Sequence, residues 1–379
     1  SDKGSFIKPG FLPLTVGPEG PTAVEAWAWG NNDSGQLGEG YPNYLNNRSS
    51  PVQLGAEANW SSLSSGTTNI LAVKTNGSLW AWGENRSGQL GQGNTTNYSS
   101  PVQVGALTDW LKATASYDVG AAIKTDGTLW MWGRGANGRL AQGNTTDYSS
   151  PVQVGALTTW DTLVSGNYFS LAITTGGALY AWGYNAYGQL GTGNGTSYSS
   201  PVQIGALTTW ATVAAGRQFS LAIKTDGTLW TWGRATQGQL GHNNTTQLNS
   251  PVQVGALTNW LAIAGGKYSA KAVKTDGTIW CWGDGAFGQL GQGNTTDYSS
   301  PVQVGALTNW LKVGGSYNST SAIKTDGTLW GFGRNYGGLL GDGTTNDRNS
   351  PVQIGALTTW YEVSNSCANS TSVFGTIVQ

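Results

Sequence analysis

The chain has 379 residues, with 58 glycines, 19 tryptophans, 10% charged residues and a net charge of about −1. That balance gives no electrostatic footprint for nucleic acid or an anionic membrane, and no apolar run approaches the roughly 18 residues that span a bilayer. Cys281 and Cys367 are the two cysteines, set no disulfide framework, and are not expected to pair.

Residues 1–22 (SDKGSFIKPGFLPLTVGPEGPT) stand apart from the rest of the chain. Pro9, Pro13 and Pro18 with four glycines argue against helix or paired strand. Phe6, Ile7, Phe11, Leu12 and Leu14 are too apolar for an ordinary solvated linker. The segment is expected to be an extended arm that docks on a partner or lies back over its own domain. No basic stretch precedes an apolar one here, so no signal peptide is expected in the chain as it stands.

From residue 23 to 379 the chain repeats. Trp-Gly recurs at Trp29, Trp82, Trp132, Trp182, Trp232 and Trp282, with Phe332-Gly333 as the next copy. The interval is 50 residues, except for a three-residue insertion near Tyr41–Asn47. Ser-Pro-Val-Gln begins at Ser50, Ser100, Ser150, Ser200, Ser250, Ser300 and Ser350. Each repeat predicts four strands. Strand A is Pro-Val-Gln-Val (101–104), where proline suits a strand's first residue. Strand B starts at Trp110, and strand C is Ala-Ala-Ile-Lys (121–124). Strand D is Thr-Leu-Trp-Met-Trp (128–132), reached through a Thr-Asp-Gly hairpin turn.

No helical period is sustained. An all-β repeat of this length predicts the blades of a propeller, because each sheet needs neighbours on both faces. The chain enters with a lone D strand and ends on A, B and C. The N-terminal strand can therefore complete the C-terminal blade, closing a seven-bladed β-propeller of four-stranded blades with no free edge. The Trp-x-Trp pairs, such as Trp80/Trp82 and Trp130/Trp132, face one way on a strand and suit packing between blades.

Trp82-Gly83 followed by Gly88-Gln89-Leu90-Gly91, with the same pairing at 182–191, 232–241 and 282–291, resembles the regulator of chromosome condensation family. The resemblance covers roughly 23–379, implies the seven-bladed propeller, and in style is similar to bacterial and bacteriophage-encoded members. The family's histidine column is occupied here by Asn69, Val119, Phe169, Phe219, Ser269, Ser319 and Asn369, so nucleotide exchange is not carried over. The chain's one histidine, His242, lies elsewhere.

The copies disagree in two windows. One follows strand D (31–34, 84–87, 134–137, 184–187, 234–237, 284–287, 334–337), and the other joins strands B and C (66–69, 116–119, 166–169, 216–219, 266–269, 316–319, 366–369). Strand parity puts both on one face of the disc. That face is expected to bind through Tyr117, Asp118, Tyr168, Phe169, Arg217, Phe219, Lys267, Tyr268 and Tyr317 from the B–C loops. Tyr184, Tyr187, Arg234, Arg334 and Tyr336 join them from the other window. Tyrosine and arginine are what binding hot spots use.

The aspartates at 126, 226, 276 and 326 read as turn residues, not acids or bases. No metal-ligand spacing, phosphate loop or nucleophile elbow occurs. The expectation is a non-enzymatic recognition protein with no cofactor and no metal, contacting another protein or a surface glycan but neither nucleic acid nor the membrane interior. It is expected in a bacteriophage virion, anchored by the arm, with a secreted or cell-surface inhibitor or adhesin as the alternative.

Overall fold

The computed structural model describes residues 24–40, 46–364 and 370–378. The expected arm, with Phe6, Ile7, Phe11, Leu12 and Leu14, lies outside the described residues, as does the window 366–369. Twenty-eight strands form seven four-stranded antiparallel sheets. Blade I is built from Trp60–Ser65, Asn69–Lys74, Leu79–Gly83 and Tyr98–Gln103 in that spatial order. Its strands are thus B, C and D, followed by the A strand of the next repeat. Blades II to VI repeat the plan over 110–153, 160–203, 210–253, 260–303 and 310–353.

The closing blade takes Trp360–Val363 and Ser372–Val378 from the C-terminal end, with Val24–Gly30 and Arg48–Gln53 from the N-terminal end. Val24–Gly30 pairs residue by residue with Val378–Ser372. The N-terminal strand therefore closes the ring, and the following A strand joins it. Proline opens no strand here: Pro101 lies in the irregular stretch where Tyr98–Gln103 pairs with Gly83 and Ala81. An outermost strand tolerates it because the missing donor faces no partner.

Local chemistry sets the C–D hairpins. Asp126 Oδ1 accepts hydrogen bonds from Thr128 N (2.9 Å) and Thr128 Oγ1 (2.6 Å), and that hydroxyl accepts from Trp130 Nε1 at 3.0 Å. Gly127 has φ +78°, and a Cβ there would collide with Thr158 O in the adjoining A–B turn. Both facts demand glycine. Lys124 lies over Trp110 (5.0 Å) and Trp130 (4.7 Å), a cation–aromatic contact repeated by Lys74, Lys224, Lys274 and Lys324.

Blades join through the second tryptophan of each pair. Trp132 Nε1 donates to Gln89 O (2.9 Å), Trp182 Nε1 to Arg139 O (3.2 Å) and Trp232 Nε1 to Gln189 O (2.9 Å), each in the preceding blade. These indoles are fully buried. A buried aromatic with its polar handle satisfied contributes both area and registry.

The B strands line the axis. At the C–D hairpin end they surround a cavity of about 1120 Å³. Towards the other end the channel narrows between Ala115, Ser165, Ala215 and Gly265. A Cβ on Gly265 would approach Ala215 backbone to 2.6 Å, so the neck is built from small residues.

Candidate functional site

Both variable windows fall on the narrow-neck face, and backbone bonds clamp them together. Glu84 N donates to Thr68 O, Tyr184 N to Tyr168 O and Arg234 N to Gln218 O, each at 2.9 Å. The B–C loop closes itself through bonds such as Gly216 N to Phe219 O at 2.8 Å. The backbone is thereby satisfied without help from the two side chains at the loop tip.

Those tip residues meet the residues after strand D in a near-continuous belt of tyrosines and cations. Tyr117 packs edge-on to Tyr168 at 5.8 Å, Tyr168 to Tyr184 at 6.3 Å, and Tyr184 to Tyr187 at 6.3 Å. Arg234 sits over Tyr187 (4.9 Å) and Tyr268 (5.3 Å). Arg217 Nη1 donates to Tyr268 Oη at 3.0 Å, and Lys267 Nζ donates to Tyr317 Oη at 2.7 Å. Arg334 spans Phe287 (4.8 Å) and Tyr336 (5.5 Å), and Tyr336 is 63% exposed. Edge contacts and cation–aromatic pairs hold these rings in fixed attitudes, at about 0.5–1 kcal/mol each.

Two expected binding residues are corrected. Phe169 and Phe219 are buried, at 2% and 0% exposure, within the blade cores. Their rings lie on Gly166 and Gly216, where any Cβ would collide with them. The other expected residues, Tyr117, Asp118, Tyr168, Arg217, Lys267, Tyr268, Tyr317, Tyr184, Tyr187, Arg234, Arg334 and Tyr336, all retain exposed surface.

Two residues that matter to this face were not singled out from the sequence. Arg139 replaces the glutamine of the Gly-Gln-Leu-Gly stretch and is 3% exposed. Its guanidinium lies over Tyr168 at 4.5 Å and 3.8 Å from Asp118. Burial pushes the Asp118 carboxyl up, against the opposing pull of Arg134 and Arg139. Lys271 stands where Leu71, Leu171 and Leu221 stand in other blades, and it is fully buried. Its amine donates to Ser269 Oγ at 2.8 Å beneath the Lys267–Tyr268 tip. Burial pulls the amine down to about 8 and pushes the neighbouring Cys281 thiol up to about 12. That thiol is therefore unreactive at neutral pH. In both cases the signal was a charged residue in a column whose other members are uncharged.

Among the described residues, no group of three or more His, Cys, Asp or Glu side chains is gathered in metal-binding geometry. His242 is half-buried and shares a 3.0 Å hydrogen bond with Thr231 Oγ1, and burial holds its imidazole below the ordinary range. No helix among the described residues is long and apolar enough to cross a membrane.

The family signature described as "Regulator of chromosome condensation (RCC1) repeat" matches seven times, at 25–73, 76–123, 126–173, 176–223, 226–273, 276–323 and 326–374. Similar curated proteins include the RCC2 homolog of Danio rerio, 41% identical over 76 residues, and RCC2 of Homo sapiens, 37% identical over 82. Each match covers 20% of this chain and 15% or 14% of the relative, so the chain aligns with about one-seventh of those proteins' length. Among solved structures, human WBSCR16 superposes with a TM-score of 0.82 at 21% identity, covering 94% of this chain and 99% of that one. Yeast RCC1 (Prp20) bound to Kap60 gives 0.83 at 19%, covering 94% and 89%. These likenesses establish the fold. The expected virion location, with its secreted or cell-surface alternative, is corrected by the same findings: the curated relatives are RCC2 proteins and the yeast structures are of RCC1 (Prp20), none described as a virion or secreted protein.

Proposed function

The chain belongs to the regulator of chromosome condensation repeat family, and on that premise we propose that it is a non-enzymatic propeller that binds a protein partner through its variable face. The observation that carries this reading is the belt running from Tyr117 to Tyr336. Its rings and cations are pre-ordered by one another, so little side-chain entropy is left to lose on binding. In the windows of blades III to VI the cations are Arg217, Arg234, Lys267 and Arg334, and the acidic residue is Asp284, which is 7% exposed. A partner with an acidic surface fits that sector. A study of yeast Prp20p names its binding to Gsp1p and histones, which are also protein partners.

The test uses the full chain as bait, with captured proteins quantified by mass spectrometry. Tyr268→Ala and Arg234→Ala are compared with Leu257→Ser on the opposite face. Partners lost at least roughly tenfold with the first two and retained by the third are the expected result. Capture that is indifferent to Tyr268 and Arg234 would sink the assignment of this face.

A further inference from the structure

The face opposite the belt carries its own unpartnered apolar surface. Six of the seven A–B turns read Gly-Ala-Leu, and Leu107, Leu157, Leu207, Leu257, Leu307 and Leu357 are 41–50% exposed. These six leucines stand on the face where the axial cavity is wide; the next residues of two of the turns, Thr208 and Thr258, line the cavity, and its aliphatic wall is Leu63, Leu261, Leu311, Val313 and Val363. The charges in that mouth neutralise one another: Lys112 lies 3.6 Å from Asp161, and Lys312 lies 3.7 Å from Glu362. Exposed leucines around a mouth of mixed aliphatic and threonine lining are a surface that a cover would stabilise.

The ring is broken once, in the turn before blade I. There the sequence is Gly55-Ala56-Glu57, and Glu57 pairs with Lys74. The first described residue, Val24, sits beside this gap, with its N–H on Ala58 O at 3.0 Å. The strand it begins runs from this face to the other, so the chain enters it from the leucine face. That strand is third from the axis, two strand spacings or about 10 Å from the channel wall. Three or four extended residues cover the distance. The preceding segment then carries Val16, Leu14, Leu12, Phe11, Ile7 and Phe6 in succession.

We propose that the N-terminal segment docks in cis across the leucine face, with Phe11 and Leu12 in the mouth of the axial cavity. The occupant is the chain's own residues 1–23, because they leave at the one gap in the ring, at short reach, with matching apolar character. This docking is independent of what the opposite face binds.

A photo-crosslinking phenylalanine analogue in place of Phe11, in the full chain at high dilution, tests it. Intramolecular crosslinks to the segments holding Leu261, Leu311 or Val363 are expected. Crosslinks between two chains, crosslinks to the belt face, or none at all would each overturn it. A second measurement tracks maleimide labelling of Leu311→Cys, read peptide by peptide. Labelling should be several-fold faster when Phe6, Ile7, Phe11 and Leu12 are all serine, and equal rates would equally overturn the proposal.

Discussion

On the leucine face, Asp126, Asp226, Asp276 and Asp326 each take the same two hydrogen bonds from the threonine two residues on. On the belt face, no two described blades present the same pair at the B–C tip: Thr67-Thr68, Tyr117-Asp118, Asn167-Tyr168, Arg217-Gln218, Lys267-Tyr268 and Tyr317-Asn318. The difference lies in which atoms close the turn. The C–D hairpin takes a positive-φ glycine in every described case, and a side-chain acceptor (Asp, or Asn76) in all but blade III, where Gly176 stands, so its sequence is largely dictated locally. The B–C loop is closed by main-chain bonds to its own strand and to the D–A connection. Its tip side chains are not needed to close the turn and are free to differ.

The contrast between the faces breaks most sharply inside the variable windows themselves. Phe219 occupies a position as diverse as the tips, yet Phe219→Ala should cost about 3–5 kcal/mol in denaturant unfolding, whereas Tyr268→Ala should cost far less stability. Equal losses would mean that the tips also support the core. A smaller effect of opposite sign is expected at Lys271. Its folded pKa, about 8 against an ordinary 10.5, lies below the unfolded value, so the unfolded chain binds the extra proton between those limits. Wild-type stability therefore rises across that window, and the burial penalty is greatest below it. Lys271→Leu should stabilise by about 1–3 kcal/mol at neutral pH, with the gain shrinking towards pH 10.5 in a pH series of unfolding curves. The smallest effect belongs to the dictated face. The Thr228 hydroxyl and N–H hold the Asp226 carboxylate below its ordinary range of 3.8. That contribution is present above the ordinary value and is lost as pH falls through the lowered one. Because the group is exposed, Asp226→Ala should cost less than about 1 kcal/mol at pH 7 and nothing in strong acid.

The period, the hairpin chemistry and the tryptophan pairs made the architecture legible, because each is a local demand repeated in register. The variable windows were legible as a face, since strand parity alone places them. Within them, the inward direction of Phe169 and Phe219 was not legible. Strand C is covered by neighbouring blades on both sides, and all six residues of Phe169–Thr174 and of Phe219–Lys224 are buried. Alternation, the usual sign of inside and outside, is absent from such a strand. The clue was the pairing of phenylalanine with a glycine three residues earlier. Arg139 and Lys271 were hidden for another reason: each is the one charged residue in a column of uncharged ones, and its meaning depends on a neighbour from elsewhere in the repeat.

The shared closing blade sets an order of events during synthesis. Val24–Gly30 leaves the ribosome before every other described strand, and its partner Ser372–Val378 leaves after them. At 5–20 residues per second, roughly 20–70 s separate them. Through that interval blades I to VI can assemble as they emerge, while the early strand waits with an unpaired edge and Trp29 without its neighbour Trp360. A two-stranded fragment is marginal by itself, so the ring behaves as a clasp that fastens only once Ser372–Val378 has emerged.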